Sequence, residues 1–282
     1  MKKILGIIGS PRKGGNCEIA IKEIGRNIPE PHELLLLRLD DFKILACRGC
    51  YGCLREGGQC VLKDDIHGIL DAMCRADAII LAAPTYFLGA NAGIKRFIDR
   101  AFSFYTHIDQ MWGKPSLGIC VAGIPGKEGH GLLGIENFLK IAMTDIKMTR
   151  VLYGALPGEI FLNEENRVTT TKMGMALFQP APEPDTPRCP LCGSDTFRFL
   201  GGAGVRCMLC SNRGTMDTSS GAPVFAIEKS DHDFFLSKAE ILKHRDWLVG
   251  MKNRFAELKP ALKSVTLDYG KDGVWIKPAP PS

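Results

Sequence analysis

Short apolar runs and amphipathic stretches alternate through the first half of the chain. Apolar runs without polar interruption are typical of strands that are buried on both faces of a parallel sheet. The pattern predicts strands over residues 3–9, 33–39, 77–84, 116–122 and 148–155, and helices over residues 16–28, 64–75, 91–102 and 135–145. This alternation predicts an α/β fold with an open, doubly wound sheet of five parallel strands. Ligands of such sheets bind at the carboxyl ends of the strands.

The pattern changes after residue 178, where prolines become frequent. We expect residues 1–178 to form the larger domain, residues 179–188 a semi-rigid Pro-rich linker, residues 189–230 a small four-cysteine module, and residues 231–282 a C-terminal helix and tail. Ser237 and Glu240 form a capping box that predicts a helix from residue 237 to about residue 258. Pro260 is expected to end this helix, and a hairpin is expected within residues 265–276.

The formal net charge of +5 is spread along the 282 residues without a run of lysines or arginines. This distribution argues against a dedicated surface for nucleic acid or an anionic membrane. No apolar segment approaches the roughly 20 residues that span a bilayer, and the first apolar run is too short for a signal peptide. We therefore expect a soluble, cytoplasmic protein.

Eight of the eleven cysteines fall into two closely spaced sets, which is typical of metal sites in a reducing compartment rather than of a secreted disulfide scaffold. The first set can converge on an iron–sulfur cluster, with zinc or no metal as alternatives; it consists of Cys47, Cys50, Cys53 and Cys60. The second set has the two-knuckle spacing of a zinc ribbon, with a rubredoxin-like iron site as the alternative; it consists of Cys189, Cys192, Cys207 and Cys210. We expect the ribbon to serve structure or docking.

Two loops that follow predicted strands have the composition of a phosphate site and a flat-ring site. The first loop presents helix N-terminal N–H groups and polar side chains to a phosphate monoester, with candidate residues Ser10, Arg12, Lys13, Gly15, Asn16 and Cys17. The second loop can lie against an isoalloxazine ring; its candidates are Pro84, Thr85, Tyr86, Phe87 and Gly89, with Gly123 in a third, glycine-rich loop. The alternatives are a solvated basic turn and ordinary aromatic packing. The first loop matches neither the Walker pattern nor Gly-x-Gly-x-x-Gly.

In combination these motifs resemble the iron–sulfur flavoproteins of the NAD(P)H-dependent FMN reductase superfamily. The resemblance covers roughly residues 1–178 and includes Gly9-Ser10-Pro11-Arg12 with Gly15-Asn16, the compact cysteine set followed by Asp64-Asp65, and Pro84-x-Tyr86 with Lys95-x3-Asp99-Arg100. It implies a flavodoxin-like fold, FMN, a [4Fe–4S] cluster on the first cysteine set, and a homodimer or homotetramer. It also implies that the FMN phosphate is held by Ser10, Arg12 and Asn16, and that the ring is lined by Pro84, Tyr86, Phe87 and Gly89. The sequence departs from the family pattern at Cys17, where a threonine is common, and in its added zinc-like module.

We therefore expect an FMN-dependent oxidoreductase that passes electrons between a ferredoxin-like donor and a small-molecule acceptor through the cluster and the flavin. One alternative is an NAD(P)H-dependent FMN or quinone reductase without a functional cluster. A non-enzyme alternative is a redox-sensing or docking protein that uses its zinc ribbon. Outer-sphere electron transfer requires no acid or nucleophile, so no catalytic side chain is predicted.

Overall fold

The computed structural model describes residues 1–54, 58–184, 186–270 and 272–278 of the chain. A central parallel sheet organises the larger part of the protein. Its strands are β1 (Lys2–Ile8), β2 (His32–Arg38), β3 (Ala78–Tyr86), β4 (Gly89–Ala90), β5 (Pro115–Ala122) and β6 (Asp145–Tyr153). Five of them are parallel in the order β2-β1-β3-β5-β6, and the short β4 pairs antiparallel with β3. The predicted doubly wound, flavodoxin-like sheet is confirmed.

Helices cover both faces of this sheet. They are α1 (Asn16–Arg26), α2 (Ile66–Arg75), α3 (Ala92–Ile98), α4 (Ile108–Met111), α5 (Gly131–Ile141) and α6 (Glu164–Ala176). One apolar core lies under α1 and α6, and the other lies under α2, α3 and α5. In β1, Leu5 and Ile7 belong to one core while Ile4 and Ile8 belong to the other, because successive strand side chains point to opposite faces.

The sheet reverses its winding direction between β1 and β3. The loops after these two strands leave the sheet side by side, and the Gly9 N–H donates to the Ala82 carbonyl at 2.8 Å. This switch point is where ligands of doubly wound sheets bind.

The four-cysteine module forms a second, antiparallel sheet. Its strands, β7 (Phe197–Gly201), β8 (Gly204–Cys207), β9 (Arg213–Asp217) and β10 (Val224–Glu228), lie in the order β10-β9-β8-β7. Leu133 of α5 packs against the core of this module. The last helix, α7 (Lys238–Asp268), places Ile241 in the core of the larger sheet.

Three helices of the larger domain differ from the sequence-based prediction. α5 begins at Gly131 and ends at Ile141, four residues before the predicted bounds of 135 and 145. α3 ends at Ile98, short of the expected residue 102, and the chain continues as a 3-10 helix over Ala101–His107. α6 was not predicted, because its buried face includes Thr170 and Gly174 and so lacks an apolar stripe. A Cβ on Gly174 would lie 2.6 Å from the Ile24 carbonyl oxygen, so close packing against α1 requires glycine there.

The prediction that Pro260 ends the last helix is wrong, since α7 continues to Asp268. Proline removes one helical hydrogen bond, but its neighbours Leu258, Lys259, Ala261 and Leu262 favour the helix. The predicted hairpin is also wrong, because α7 includes residues 265–268 and the described residues that follow form no strand. Long as α7 is, no helix in the described part of the chain combines the length and apolar character needed to cross a membrane.

Candidate flavin and metal sites

A cavity of about 210 Å³ lies at the switch point of the larger sheet. Most of the predicted cofactor residues line it: Ser10, Arg12, Gly15, Asn16, Cys17, Pro84, Thr85, Tyr86 and Gly123. Three predicted residues do not: Lys13, Phe87 and Gly89. The cavity thus brings together the carboxyl end of β3 and the loops that follow β1, β5 and β6.

The loop between β1 and α1 presents donors to this cavity. The backbone N–H groups of Asn16 and Cys17 have no carbonyl partner among the described residues, as is usual in the first turn of a helix. The Ser10 hydroxyl is buried and accepts from the Arg12 N–H at 3.2 Å, while the Arg12 side chain is exposed. Such a group of donors suits an anion.

An ion pair fixes the backbone of this phosphate loop. Arg38 donates to the carbonyls of Ser10 at 3.0 Å and Arg12 at 2.8 Å, and to the Glu18 carboxylate at 2.6 Å. Glu18 also accepts from the Gly14 N–H at 2.8 Å. Hydrogen bonds from Lys22, from the Gly14 N–H and from Arg38 lower the pKa of Glu18 to about 2.

The side chain of Asn16 joins two walls of the cavity. Its Nδ2 donates to the Gly154 carbonyl at 2.9 Å, and its Oδ1 accepts from the Gly158 N–H at 2.8 Å. These two bonds hold the side chain in the cavity wall, so Asn16 can offer a phosphate its backbone N–H and the second hydrogen of Nδ2.

The ring loop is a two-residue turn between β3 and β4. Phe87 (φ 46°) and Leu88 (φ 66°) are both left-handed, a turn that usually contains Asn and Gly. Bulky residues in this region are strained by about 1–2 kcal/mol each, and such strain is frequent at ligand sites. The Phe87 ring is fully exposed. Gly89 lies so close to His130 that an added Cβ would be 2.9 Å from the ring Nε2.

Two cysteines beside the cavity are neutral thiols. Burial raises the pKa of Cys17 to about 12 and that of Cys120 to about 11. The Cys120 sulfur is 2.9 Å from the Thr85 hydroxyl. A buried thiol with a raised pKa is unreactive, so Cys17 can contact a phosphate through its backbone N–H rather than as a thiolate.

The first cysteine set surrounds a small second cavity. Left-handed backbone at Gly49 (φ 63°) and Tyr51 (φ 54°) and a 3-10 turn over Gly52–Leu54 fold the loop back on itself. The cavity is lined by all four cysteines, Cys47, Cys50, Cys53 and Cys60, together with Arg100, Phe102 and Ser103. The structure therefore places all four candidate ligands around one cavity.

A buried ion pair supports the cysteine loop. The side chains of Asp64 and Arg100 are 0% and 1% exposed, and their two hydrogen bonds measure 2.5 and 3.1 Å. Arg100 also donates to the Leu45 carbonyl at 2.8 Å, and Asp64 accepts from the Leu45 N–H at 2.8 Å. Burial alone would raise the pKa of Asp64, but the hydrogen bonds from Arg100, Leu45 and Ile66 outweigh it and lower the pKa.

Two further donors face the cysteine sulfurs. The Arg100 guanidinium interacts with the Cys60 thiol. Burial raises the pKa of Cys53, and a contact with the Ser103 hydroxyl opposes that shift. Ser103 is 1% exposed and its hydroxyl has no regular hydrogen-bond partner among the described residues. A cationic donor and an unpaired hydroxyl suit a site that holds negatively charged sulfur.

The second cysteine set converges tightly. The sulfurs of Cys189, Cys192, Cys207 and Cys210 all lie within 4.8 Å of one another. The Cys192 and Cys207 sulfurs are 3.4 Å apart and the Cys189 and Cys210 sulfurs 3.9 Å apart, close to the roughly 3.8 Å between thiolates that share one tetrahedral zinc ion. In each knuckle the residue after the second cysteine is left-handed, Gly193 (φ 78°) and Ser211 (φ 62°). The geometry fits a closed four-thiolate site.

Sequence reasoning missed several residues in and beside the switch-point cavity, which is the candidate flavin cavity. Gly154, Ala155 and Pro157 line it from the loop after β6, and their position at a strand end was an available signal. Asn91 had no such signal. Its side chain donates to the Gly9 carbonyl at 2.7 Å and its N–H donates to the Pro84 carbonyl at 3.1 Å, so it connects the phosphate loop with the ring loop.

Some known proteins match only the first part of the chain, and others match almost all of it. Residues 2–152 match the NADPH-dependent FMN reductase family. An iron–sulfur flavoprotein of Archaeoglobus fulgidus is 34% identical over 182 residues, which cover 63% of this chain and 79% of that protein. A flavone synthase of Aspergillus candidus is 26% identical over 323 residues and covers 99% of this chain and 98% of its own. The structure of a flavone reductase superposes with a TM-score of 0.74 at 18% identity, covering 98% of this chain and 100% of that one.

Proposed function

Because the chain belongs to the NADPH-dependent FMN reductase family and to its iron–sulfur flavoproteins, we propose that this flavin-dependent oxidoreductase passes electrons between a one-electron, ferredoxin-like donor and a small-molecule acceptor. The observation that supports this most directly is that the loops lining the flavin cavity and the loop carrying the four cysteines all follow the carboxyl ends of strands in one sheet. Membership in a family of flavin reductases favours an enzyme over the alternative of a redox-sensing or docking protein.

We assign the flavin cavity to FMN, which when bound exchanges one or two electrons, and the cysteine loop to a [4Fe–4S] cluster, which exchanges one. The phosphate would be held by the Ser10 hydroxyl, the Arg12 guanidinium and the N–H groups of Asn16 and Cys17, with Lys13 and Gly15 in the same loop. The ring would lie against the second loop, which contains Pro84, Thr85, Tyr86, Phe87 and Gly89, and against Gly123. The strained turn at Phe87 supports this assignment, since backbone strain is frequent at ligand sites and the aromatic ring next to Tyr86 is left exposed.

The cluster ligands would be Cys47, Cys50, Cys53 and Cys60. A cubane holds its thiolates farther apart than one ion does, which fits a set that shares a cavity without the close sulfur contacts of the ribbon. Arg100 and Ser103 would donate to the sulfurs and stabilise their negative charge. Tyr51 and Phe102, whose ring centroids are 5.6 Å apart, would limit the access of water.

We assign the second cysteine set to a structural zinc ion. Its four sulfurs leave no open position for a substrate, and the small sheet around them has a modest apolar core. In such a module metal binding contributes directly to folding.

We further propose that α7 joins two copies of the chain. Apolar residues follow one another at alternating spacings of three and four, the pattern of a coiled-coil seam: Leu248, Met251, Phe255, Leu258, Leu262, Val265 and Tyr269. Leu248 is buried, whereas Phe255, Leu258, Leu262 and Val265 are 58, 42, 41 and 57% exposed. Pro260 occupies a heptad position that faces away from the seam.

The flanking charges favour an antiparallel pair of α7 helices. A parallel pair would bring Arg254 of one copy close to Lys259 of the other, and like charges repel. An antiparallel pair would bring Arg254 opposite Asp268 of the second copy. The Arg254–Asp268 attraction is therefore available only in the antiparallel arrangement, which also brings the two Lys259 side chains near each other.

A second candidate function is NAD(P)H-dependent reduction of a small aromatic molecule such as a quinone. The family description names NADPH as the electron donor. The relative that covers almost the whole chain, including the ribbon and α7, is a flavone synthase.

Anaerobic purification followed by flavin, iron and zinc analysis tests these functions. FMN with about four irons per chain, the content of one cubane, supports the electron-transfer function, and bleaching of the visible spectrum by reduced ferredoxin but not by NADPH would identify the donor. FMN without iron and rapid oxidation of NADPH would leave the second candidate. Absence of flavin from a folded preparation would contradict both.

A further inference from the structure

A third cavity lies between the 3-10 helix after α3 and the start of the C-terminal region. Its volume is about 260 Å³, and half of the residues that line it are aromatic: Phe102, Phe104, Tyr105, Phe234, Phe235 and His244. Among the described residues it shares none with the flavin cavity. Phe102 lines both this cavity and the cysteine cavity, so one aromatic ring separates them.

Besides the Asp99 carboxylate, which pairs with Lys95, two polar groups on these walls are available to a ligand. The Tyr105 hydroxyl makes no hydrogen bond to a described residue, and burial raises its pKa to about 12, so it stays protonated and can donate. The Nδ1 of His244 pairs with the Nε2 of His232 at 2.7 Å, which leaves the other ring nitrogen of His244 without a described partner. Apolar walls with a few convergent polar groups are the usual composition of small-molecule sites.

The ribbon module positions one wall of this cavity. Asp233 accepts from the Phe235 N–H at 2.9 Å with one carboxylate oxygen and from the Asn212 side chain at 2.6 Å with the other. Asn212 in turn accepts at its carbonyl from the Cys207 N–H at 3.0 Å, within the second knuckle. Hydrogen bonds thereby connect Phe235 with the four-cysteine site. The module holds this wall of the cavity in place, so the cavity is not merely a packing defect.

We propose that the cavity binds a planar aromatic carbonyl compound of one or two rings, such as a quinone, with the carbonyl oxygen accepting a hydrogen bond from Tyr105. The volume, slightly below the roughly 300–1,000 Å³ of drug-sized sites, excludes larger ring systems. The aromatic walls match a flat apolar body. As a site for the electron acceptor, this cavity would deepen the proposed function, and that role rests on the proposed function. Binding of the molecule itself does not require FMN or the cluster.

Calorimetric titration of the full chain, purified with its cofactors, tests the site. The probe is 2,3-dimethyl-1,4-naphthoquinone, in which the ring positions that react with thiols are blocked. Ala101 lines the cavity, and Ala101→Leu is expected to weaken binding by more than tenfold because the added side chain fills the space. The control Ala256→Leu makes the same change on the exposed surface of α7 and should bind like the unmodified chain.

Tyr105→Phe supplies a second, independent test that removes one hydroxyl. It should weaken quinone binding by about three- to tenfold, the size expected of one hydrogen bond. The hydrocarbon 2,3-dimethylnaphthalene has no carbonyl, so its affinity should be the same for Tyr105→Phe and for the unmodified chain.

Three results would overturn the inference. They are no quinone binding to the unmodified chain, binding that Ala101→Leu and Tyr105→Phe leave unchanged, and binding that Tyr86→Ala in the ring loop abolishes while the cavity variants do not. The last result would place the quinone at the flavin. FMN and iron content, measured on the same preparations, reports separately on the proposed function.

Discussion

At the scale of single residues, we expect the largest loss of stability from a substitution in the buried ion pair Asp64–Arg100. It connects the cysteine loop with the end of α3, and both side chains are inaccessible to solvent. Asp64→Asn would leave the Arg100 charge buried without its counter-ion, which typically costs about 3–5 kcal/mol. We expect the free energy of unfolding in urea to fall by that amount and the iron content per chain to fall with it.

The same substitution can be made at a neighbouring exposed pair. Lys95 and Asp99 form an i,i+4 ion pair whose side chains are 68% and 46% exposed. Solvent screens such pairs, so Asp99→Asn should change the free energy of unfolding by less than about 1 kcal/mol. If both variants lost equal stability, the buried pair would not have the structural role assigned to it.

The turn residue Phe87 gives a second prediction at this scale. Phe87→Asn removes the ring but keeps a residue type that tolerates left-handed backbone. Loss of an aromatic contact worth about 0.5–1.5 kcal/mol should weaken FMN binding by about two- to tenfold in a fluorescence titration of the apoprotein. Phe199→Asn, at an exposed position of β7, is the matched control. Unchanged FMN affinity in Phe87→Asn would remove this side chain from the proposed flavin contacts.

Residue types and spacings could indicate those parts of the candidate sites whose residues lie close together in the sequence. The two cysteine sets were recognised because each is compact in sequence. The amide of Asn16 was assigned to a phosphate, whereas its partners, Gly154 and Gly158, lie about 140 residues away and form the opposite wall. Contacts of this kind depend on the order of the strands, which local pattern does not specify.

At the scale of elements, strands were predictable wherever burial on both faces makes them apolar throughout. β3 and β5 are examples. α6 was missed because small and hydroxyl side chains form its buried face. For α7 the apolar spacing predicted the helix correctly, but the proline rule gave the wrong end. A single proline was outweighed by the helix formers on both sides of it.

The exposed seam of α7 leads to a prediction about assembly. Leu262→Glu places a charge in the seam and should convert the assembled protein to a species of lower mass in sedimentation-velocity experiments, because a buried unpaired charge opposes association. Leu267→Glu makes the same change five residues later, on the outer face, where the leucine is 64% exposed. It should sediment like the unmodified chain.

The comparison of these two α7 variants is informative because neither affects the core. Leu262 is itself 41% exposed in one chain, so a folding defect is not expected from its replacement. An unmodified chain that sediments as a monomer at all concentrations, or two variants with the same mass, would contradict the coiled-coil assignment.

At the scale of the whole molecule, the two cysteine sites lie in different parts of the fold, so loss of metal from each should have different consequences. The first set lies in a loop of the larger sheet, supported by Asp64 and Arg100. The second set holds a separate small sheet, whose contacts with the rest of the chain include Leu133 of α5, the Asn212–Asp233 hydrogen bond and the Lys229–Glu240 ion pair. The two sites therefore have different supports, and each should lose its metal independently of the other.

Metal analysis of two single variants tests this independence. Cys50→Ser should lower iron well below the roughly four atoms per chain of one cubane while zinc and FMN remain. Cys210→Ser should remove zinc and loosen the ribbon, seen as faster proteolysis within residues 189–230, while iron and FMN remain, because the larger sheet has its own two cores. Loss of both metals from either variant would show that the ribbon and the cysteine loop fold as one unit. Full iron content in Cys50→Ser would contradict the assignment of that cysteine as a ligand.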